Sequence, residues 1–148
     1  MMNTQQLVRK CILAILIFGM ITPAWSDDTK ENWEKMVFHV DETVNARWAL
    51  MLANAYLDDS PNVKIVVVTF GPGVDFLLED AEDGKGNPYD IAVMELSQKG
   101  VEFRVCATTL SARNIARERV VDDAAIVPSG LSEIARLQLK EDYAYLKP

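Results

Sequence analysis

The stretch Asn62–Phe70, Asn-Val-Lys-Ile-Val-Val-Val-Thr-Phe, constrains the fold more than any other part of the chain. Ile65, Val66, Val67 and Val68 follow one another without a polar break. Successive side chains of a strand point to opposite faces, so an unbroken apolar run demands cover on both sides. Branching at Cβ favours the strand over a helix. A segment of this kind belongs inside a parallel sheet with helices above and below it. Gly71-Pro72-Gly73 then ends it.

The flanking segments fit that frame. Lys35–Val40 reads as a first buried strand. Over residues 41–59, Val44, Trp48, Met51, Leu52 and Ala55 recur at helical spacing and predict a buried helix face, with Asp41 or Thr43 as cap. Glu79–Pro88 is acidic and glycine-containing, which predicts a mobile surface loop. Asn87-Pro88 then opens a helix over Tyr89–Lys99 that is expected to bury Ile91, Met94 and Leu96, and Gly100 closes it. Val101–Cys106 is a third strand. A short helix follows, with Thr108 or Thr109 as cap, and Ala124–Val127 is a fourth strand. Ser129 caps a helix with Leu131, Ile134, Ala135 and Gln138 along one side, and the closing Tyr-Ala-Tyr-Leu-Lys-Pro gives a short fifth strand. Strands alternating with helices predict a three-layer flavodoxin-like α/β domain with a mostly parallel five-stranded sheet.

The N-terminus has a different character. Arg9 and Lys10 precede an apolar run from Cys11 to Ile21. That run matches the apolar part of a signal peptide and is short for a membrane span. Ala24-Trp25-Ser26 supplies small residues around a large one, so cleavage is expected after Ser26, with residues 27–148 as the mature domain. Removing 26 of 148 residues leaves 122, enough for one domain with a core. Loss of Arg9 and Lys10 leaves 13 basic residues against 22 acidic ones, a net charge of −9. Such a surface repels nucleic-acid backbones and anionic membranes, so neither is an expected partner. The expected location is the periplasm, where disulfides form. Yet only one cysteine, Cys106, remains in the mature chain. It is buried and inert, paired between chains, or kept free for chemistry.

In open parallel sheets, function sits beyond the carboxyl ends of the strands, at the point where strand order reverses. A flavodoxin-like order puts strand three beside strand one. Strand one ends in His39-Val40-Asp41 and strand three in Cys106-Ala107-Thr108, so His39 and Cys106 are expected on one rim near that crevice. Cys106 also precedes a helix start, where backbone N–H groups favour thiolate over thiol, and Arg113 or Arg117 adds positive charge nearby. Two readings stay open for each residue. Cys106 is a nucleophile or a small core residue. His39 is a base for the thiol or a polar core residue bonded to backbone. Gly71-Pro72-Gly73 lacks the Lys-Ser/Thr of a phosphate loop, a zinc site within one mature chain finds a single histidine and a single cysteine, and no nucleophile elbow surrounds a serine. No cofactor or metal is expected.

The blocks MVFHVDE, VVVTFGPGV, GVEFRVCATTL and VPSGLSEIARLQLKEDYAYLKP follow one another in an order that resembles DsrE/DsrF-like proteins. The resemblance implies a flavodoxin-like fold assembled as trimers or hexamers. It also implies sulfur-relay chemistry of the kind found in some members, where a cysteine accepts sulfur as a persulfide and passes it to a partner. Cys106 matches that cysteine. The expectation is an exported sulfur-handling protein with a donor or acceptor protein as partner. The rival expectation is a non-catalytic oligomeric binding module, and a third is redox sensing through a sulfenic acid.

Overall fold

The computed structural model describes residues 34–148. The predicted signal peptide and its cleavage site lie outside the described residues. Five strands form one sheet: β1 (Glu34–Val40), β2 (Val63–Thr69), β3 (Glu102–Cys106), β4 (Ala124–Val127) and β5 (Ala144–Leu146). Every pairing is parallel. The helices are α1 (Ala46–Asp59), α2 (Asp90–Gln98), α3 (Ala107–Ala112) and α4 (Gly130–Glu141). A run of 3-10 turns over Gly71–Leu77 joins β2 to the loop before α2.

The strand order is β4-β3-β2-β1-β5. This corrects the expected neighbourhood of strand three. β3 pairs with β2 and β4, and β2 stands between it and β1. Strand alternation sends Phe38, Val40, Ile65, Val67, Phe103 and Val105 to a first face, where α1, α2 and α3 pack through Ala46, Ala49, Val93, Leu96 and Leu110. The second face presents Val37, Val66 and Val68, and among the described helices α4 covers it with Ile134 and Leu137, joined by Tyr143. The domain is therefore three layers with unequal cover.

The helices turn other sides to the sheet than the spacing of large apolar residues predicts. α1 buries Ala46, Ala49, Leu50 and Ala53, while Val44 is 84% and Trp48 51% exposed. Three alanines let the helix approach the sheet closely beside Leu50, and Trp48 and Met51 are left outside. α2 buries Leu96 as expected, but Val93 joins it while Ile91 and Met94 are exposed. α4 buries Ile134 as expected, but Leu137 shares that role while Leu131, Ala135 and Gln138 face outward. The Glu79–Pro88 loop is also more tied than its composition suggests. Asp83 accepts from the Lys85 and Asn87 backbone N–H groups and from the Asn87 amide, and it pairs with Arg47 at 3.0 Å. These partners, the Asn87 amide foremost, hold its carboxyl far below the usual range.

Close backbone approach at the strand ends explains one glycine. A Cβ on Gly73 would lie 2.1 Å from the Val40 carbonyl oxygen, so the turn after β2 can rest on the end of β1 only through glycine. The Gly73 N–H donates to the Asp41 carbonyl at 2.8 Å in that arrangement.

Candidate functional site

Connections leaving adjacent strands toward opposite faces open a gap above the strand ends. In this sheet the gap lies between β3 and β4. The chain leaves β3 into α3 on the first face and leaves β4 into α4 on the second. Cys106, paired with Val127 across the two strands, sits at that gap. The expected crevice is thus present at the carboxyl ends, but it is bounded by strands three and four rather than one and three.

Cys106 is the residue that caps α3, and it is 5% exposed. Burial alone pushes its thiol up, because it penalises the charged form. The backbone N–H of Gly130, the Thr109 hydroxyl and the N–H groups of Thr109 and Thr108 are directed at the sulfur and outweigh burial, so the net shift is downward. The Cys106 side chain makes no capping hydrogen bond within α3. The effect of these groups on the sulfur is joint, each adding in the same direction. The donors come from two helix starts, α3 and α4, on opposite sides of the sheet. Thr109 Oγ1 itself accepts from Gly71 N at 3.0 Å, which fixes the hydroxyl and leaves its proton for the sulfur. Ser129 caps α4 by accepting from Ser132 N, which orients the Gly130 end.

Gly130 makes this convergence possible. A Cβ there would meet Phe70 Cδ1 at 3.0 Å, the Thr69 carbonyl oxygen at 3.1 Å and Cys106 Cβ at 3.3 Å. The expected arginine contribution takes another form. Arg113 pairs with Asp75 at 2.7 Å and donates to the Gly71 carbonyl, and neither it nor Arg117 is among the groups acting on the thiol.

His39 also stands at a strand end, 8% exposed. Two strand spacings of about 4.8 Å separate β1 from β3, and Phe70 at the end of β2 stacks on the imidazole with ring centres 4.3 Å apart. His39 Nδ1 lies 2.7 Å from the Tyr145 hydroxyl of β5. Its Nε2 and the Asp41 Oδ1 are buried without a partner among the described residues. Burial pushes the imidazole below its ordinary range, the Asp41 carboxylate opposes this, and Lys147 adds to it. Asp41 pairs with Lys147 at 2.5 Å. The structure thus joins Cys106 to Thr108, Thr109 and Gly130, and His39 to Phe70, Tyr145 and Asp41. Thr108 and Thr109 read in sequence only as caps, and Gly130 gave one signal, its place directly after a capping serine and the end of β4. No group of three or more metal-binding side chains occurs among the described residues.

The fold and site define the chain as a small parallel α/β protein with a thiol between two helix starts at its topological switch. Residues 35–148 match the model of the DsrE/DsrF-like family, and the chain belongs to that family. Among solved structures, it is similar to MTH1491 from Methanobacterium thermoautotrophicum, described as a protein of unknown function, with 33% identity and a TM-score of 0.67 over 78% of this chain and 99% of that one. It also shares its fold with the ychN protein from E. coli, at 20% identity and a TM-score of 0.65 over 78% of this chain and 99% of that one. No curated protein sequence matches the chain.

Proposed function

We propose that this is an exported sulfur-handling member of its family, with Cys106 as the carrier of a persulfide or a mixed disulfide. One observation carries the reading: Cys106 stands at the start of α3 while the start of α4 comes so close that a Cβ on Gly130 would meet Cys106 Cβ at 3.3 Å, which sets donors from two helix starts around the sulfur and favours its thiolate. The thiolate attacks the outer sulfur of a donor persulfide, R–S–SH. The Sγ–S bond forms as the donor S–S bond breaks, R–S⁻ leaves with the electron pair, and the proton stays on the new cysteine persulfide. A partner thiolate takes the sulfur onward by the same exchange. No metal or organic cofactor enters these steps. His39 supports the site at one remove in this reading, by holding Phe70 against the start of α4.

Intact-mass measurement of residues 27–148 after exposure to a sulfane-sulfur donor tests the proposal. The expected result is gain of one sulfur atom, abolished in Cys106→Ser. An alkylatable thiol that gains no sulfur would overturn it. Export to the periplasm belongs to the same proposal, and fractionation with N-terminal sequencing should find Asp27 first in the mature protein.

The low exposure of Cys106 favours a second reading, a non-catalytic oligomeric binding module. It expects slow labelling of the native thiol and fast labelling after unfolding. Assembly into trimers or hexamers is proposed under either reading, and the outward apolar residues of α1 and α2 support it.

A further inference from the structure

An open groove of about 710 Å³ runs between α3 and the outer strand β4. Thr108 and Ser111 form one side, Ile126 and Pro128 the other, and Arg117 enters from the connecting turn. No acidic residue lines it, although the chain has 22 acidic residues against 15 basic ones. Arg117 is also unlike the other described arginines. Arg47, Arg104, Arg113 and Arg136 each pair with a carboxylate, and Arg119 donates to the Glu79 carbonyl. The Arg117 guanidinium alone among them makes no hydrogen bond or ion pair. A guanidinium presents a planar fork of donors suited to carboxylate, sulfonate and phosphate oxygens.

The groove adjoins the thiol. Thr108 lines it, directs its backbone N–H at the Cys106 sulfur, and donates its hydroxyl to the Pro128 carbonyl at 3.0 Å across the β3–β4 gap. We propose that this groove binds the anionic end of a small sulfane-sulfur donor, its oxyanion on Arg117 and its outer sulfur toward Cys106. The proposal rests on Cys106 as sulfur carrier and names the donor class. For thiosulfate the step is balanced. The thiolate attacks the outer sulfur, the S–S bond to the sulfonate group breaks, and sulfite leaves with the electron pair. The persulfide anion and sulfite together carry the charge of the reactants.

The test compares sulfur transfer from thiosulfate and from cationic cysteamine persulfide, in the wild-type protein and in Arg117→Gln. The substitution should slow transfer from thiosulfate about five- to tenfold and leave transfer from cysteamine persulfide within about twofold, the ordinary reach of a screened surface charge. Equal thiosulfate rates in both proteins overturn the groove and leave Cys106 as carrier. Failure of both donors to load the wild type overturns the carrier reading instead. Thiosulfate titrated into Cys106→Ser, followed by amide shifts of Thr108 and Ser111, then decides the groove. Saturable binding weakened by Arg117→Gln supports it, and absence of binding overturns it.

Discussion

At the scale of single residues, the thiol is governed by two opposed effects, burial and the dipoles that surround the sulfur. Thr109→Val removes one donor to the sulfur and the acceptor of the Gly71 N–H. It should raise the Cys106 pKa, slow alkylation at pH 7 several-fold, and destabilise the fold by about 1 kcal/mol through the orphaned N–H. Thr109→Ser should restore both rate and stability, and a pH profile of alkylation reads the result. Gly130→Ala drives a methyl group into Phe70, Thr69 and Cys106. Its expected cost is about 1–3 kcal/mol in urea unfolding, together with a raised thiol pKa as the Gly130 N–H withdraws. The linkage has a defined sign. A thiol whose native pKa lies below its unfolded value stabilises the native state fully above the unfolded value, and that contribution fades as pH falls through the native pKa.

At the scale of elements, α4 is joined to the sheet by charge as well as by Ile134 and Leu137. Glu133 on α4 pairs with Arg104 of β3 and with Arg136, the latter at 2.8 Å. The Arg136 hydrogen bond is the largest influence on its carboxyl, burial opposes it, Arg104 reinforces it, and the pKa falls below its ordinary value of 4.5. The stabilisation is therefore present above that value and lost as pH falls through the native pKa. Glu133→Gln should cost about 2 kcal/mol at pH 7 and progressively less as pH falls through the native pKa, so the gap in urea midpoint between variant and wild type should narrow on acidification. Strand content was legible in the sequence because β-branched runs such as Ile65–Val68 need no distant information. Strand order was not, because pairing β3 with β2 is a long-range choice that no local pattern encodes. The helix faces were misread for a related reason. On α1 the alanines at 46, 49 and 53 make the contact surface together with Leu50, and apolar size gives no sign of the alanines' part in it. The thiol's place at a strand end was readable from topology alone, whereas its partner Gly130 lies 24 positions along the chain and becomes adjacent only when β4 joins β3.

At the scale of the whole molecule, the layers are unequal and the apolar surface is unevenly spent. Trp48 and Met51 on α1 stand outward on the same layer as Ile91 and Met94 on α2. A groove between those helices is lined by Met51, Asn54, Ala92 and Glu95. The proposed assembly predicts that residues 27–148 sediment as a discrete multimer and that Trp48→Asp weakens association by at least about tenfold. A monomeric wild type, or a variant that assembles unchanged, would remove this surface from the interface.

The donors around Cys106 arrive from residues 108–109 and from residue 130, on connections that run over opposite faces of the sheet. Neither connection completes the cradle by itself. A chain that has docked only one of them holds the sulfur without the full set of donors that lowers its pKa. Under the proposed carrier role, the thiol gains its full set of neighbouring donors only once both faces of the sheet are covered, so its alkylation during refolding should quicken when α4 docks.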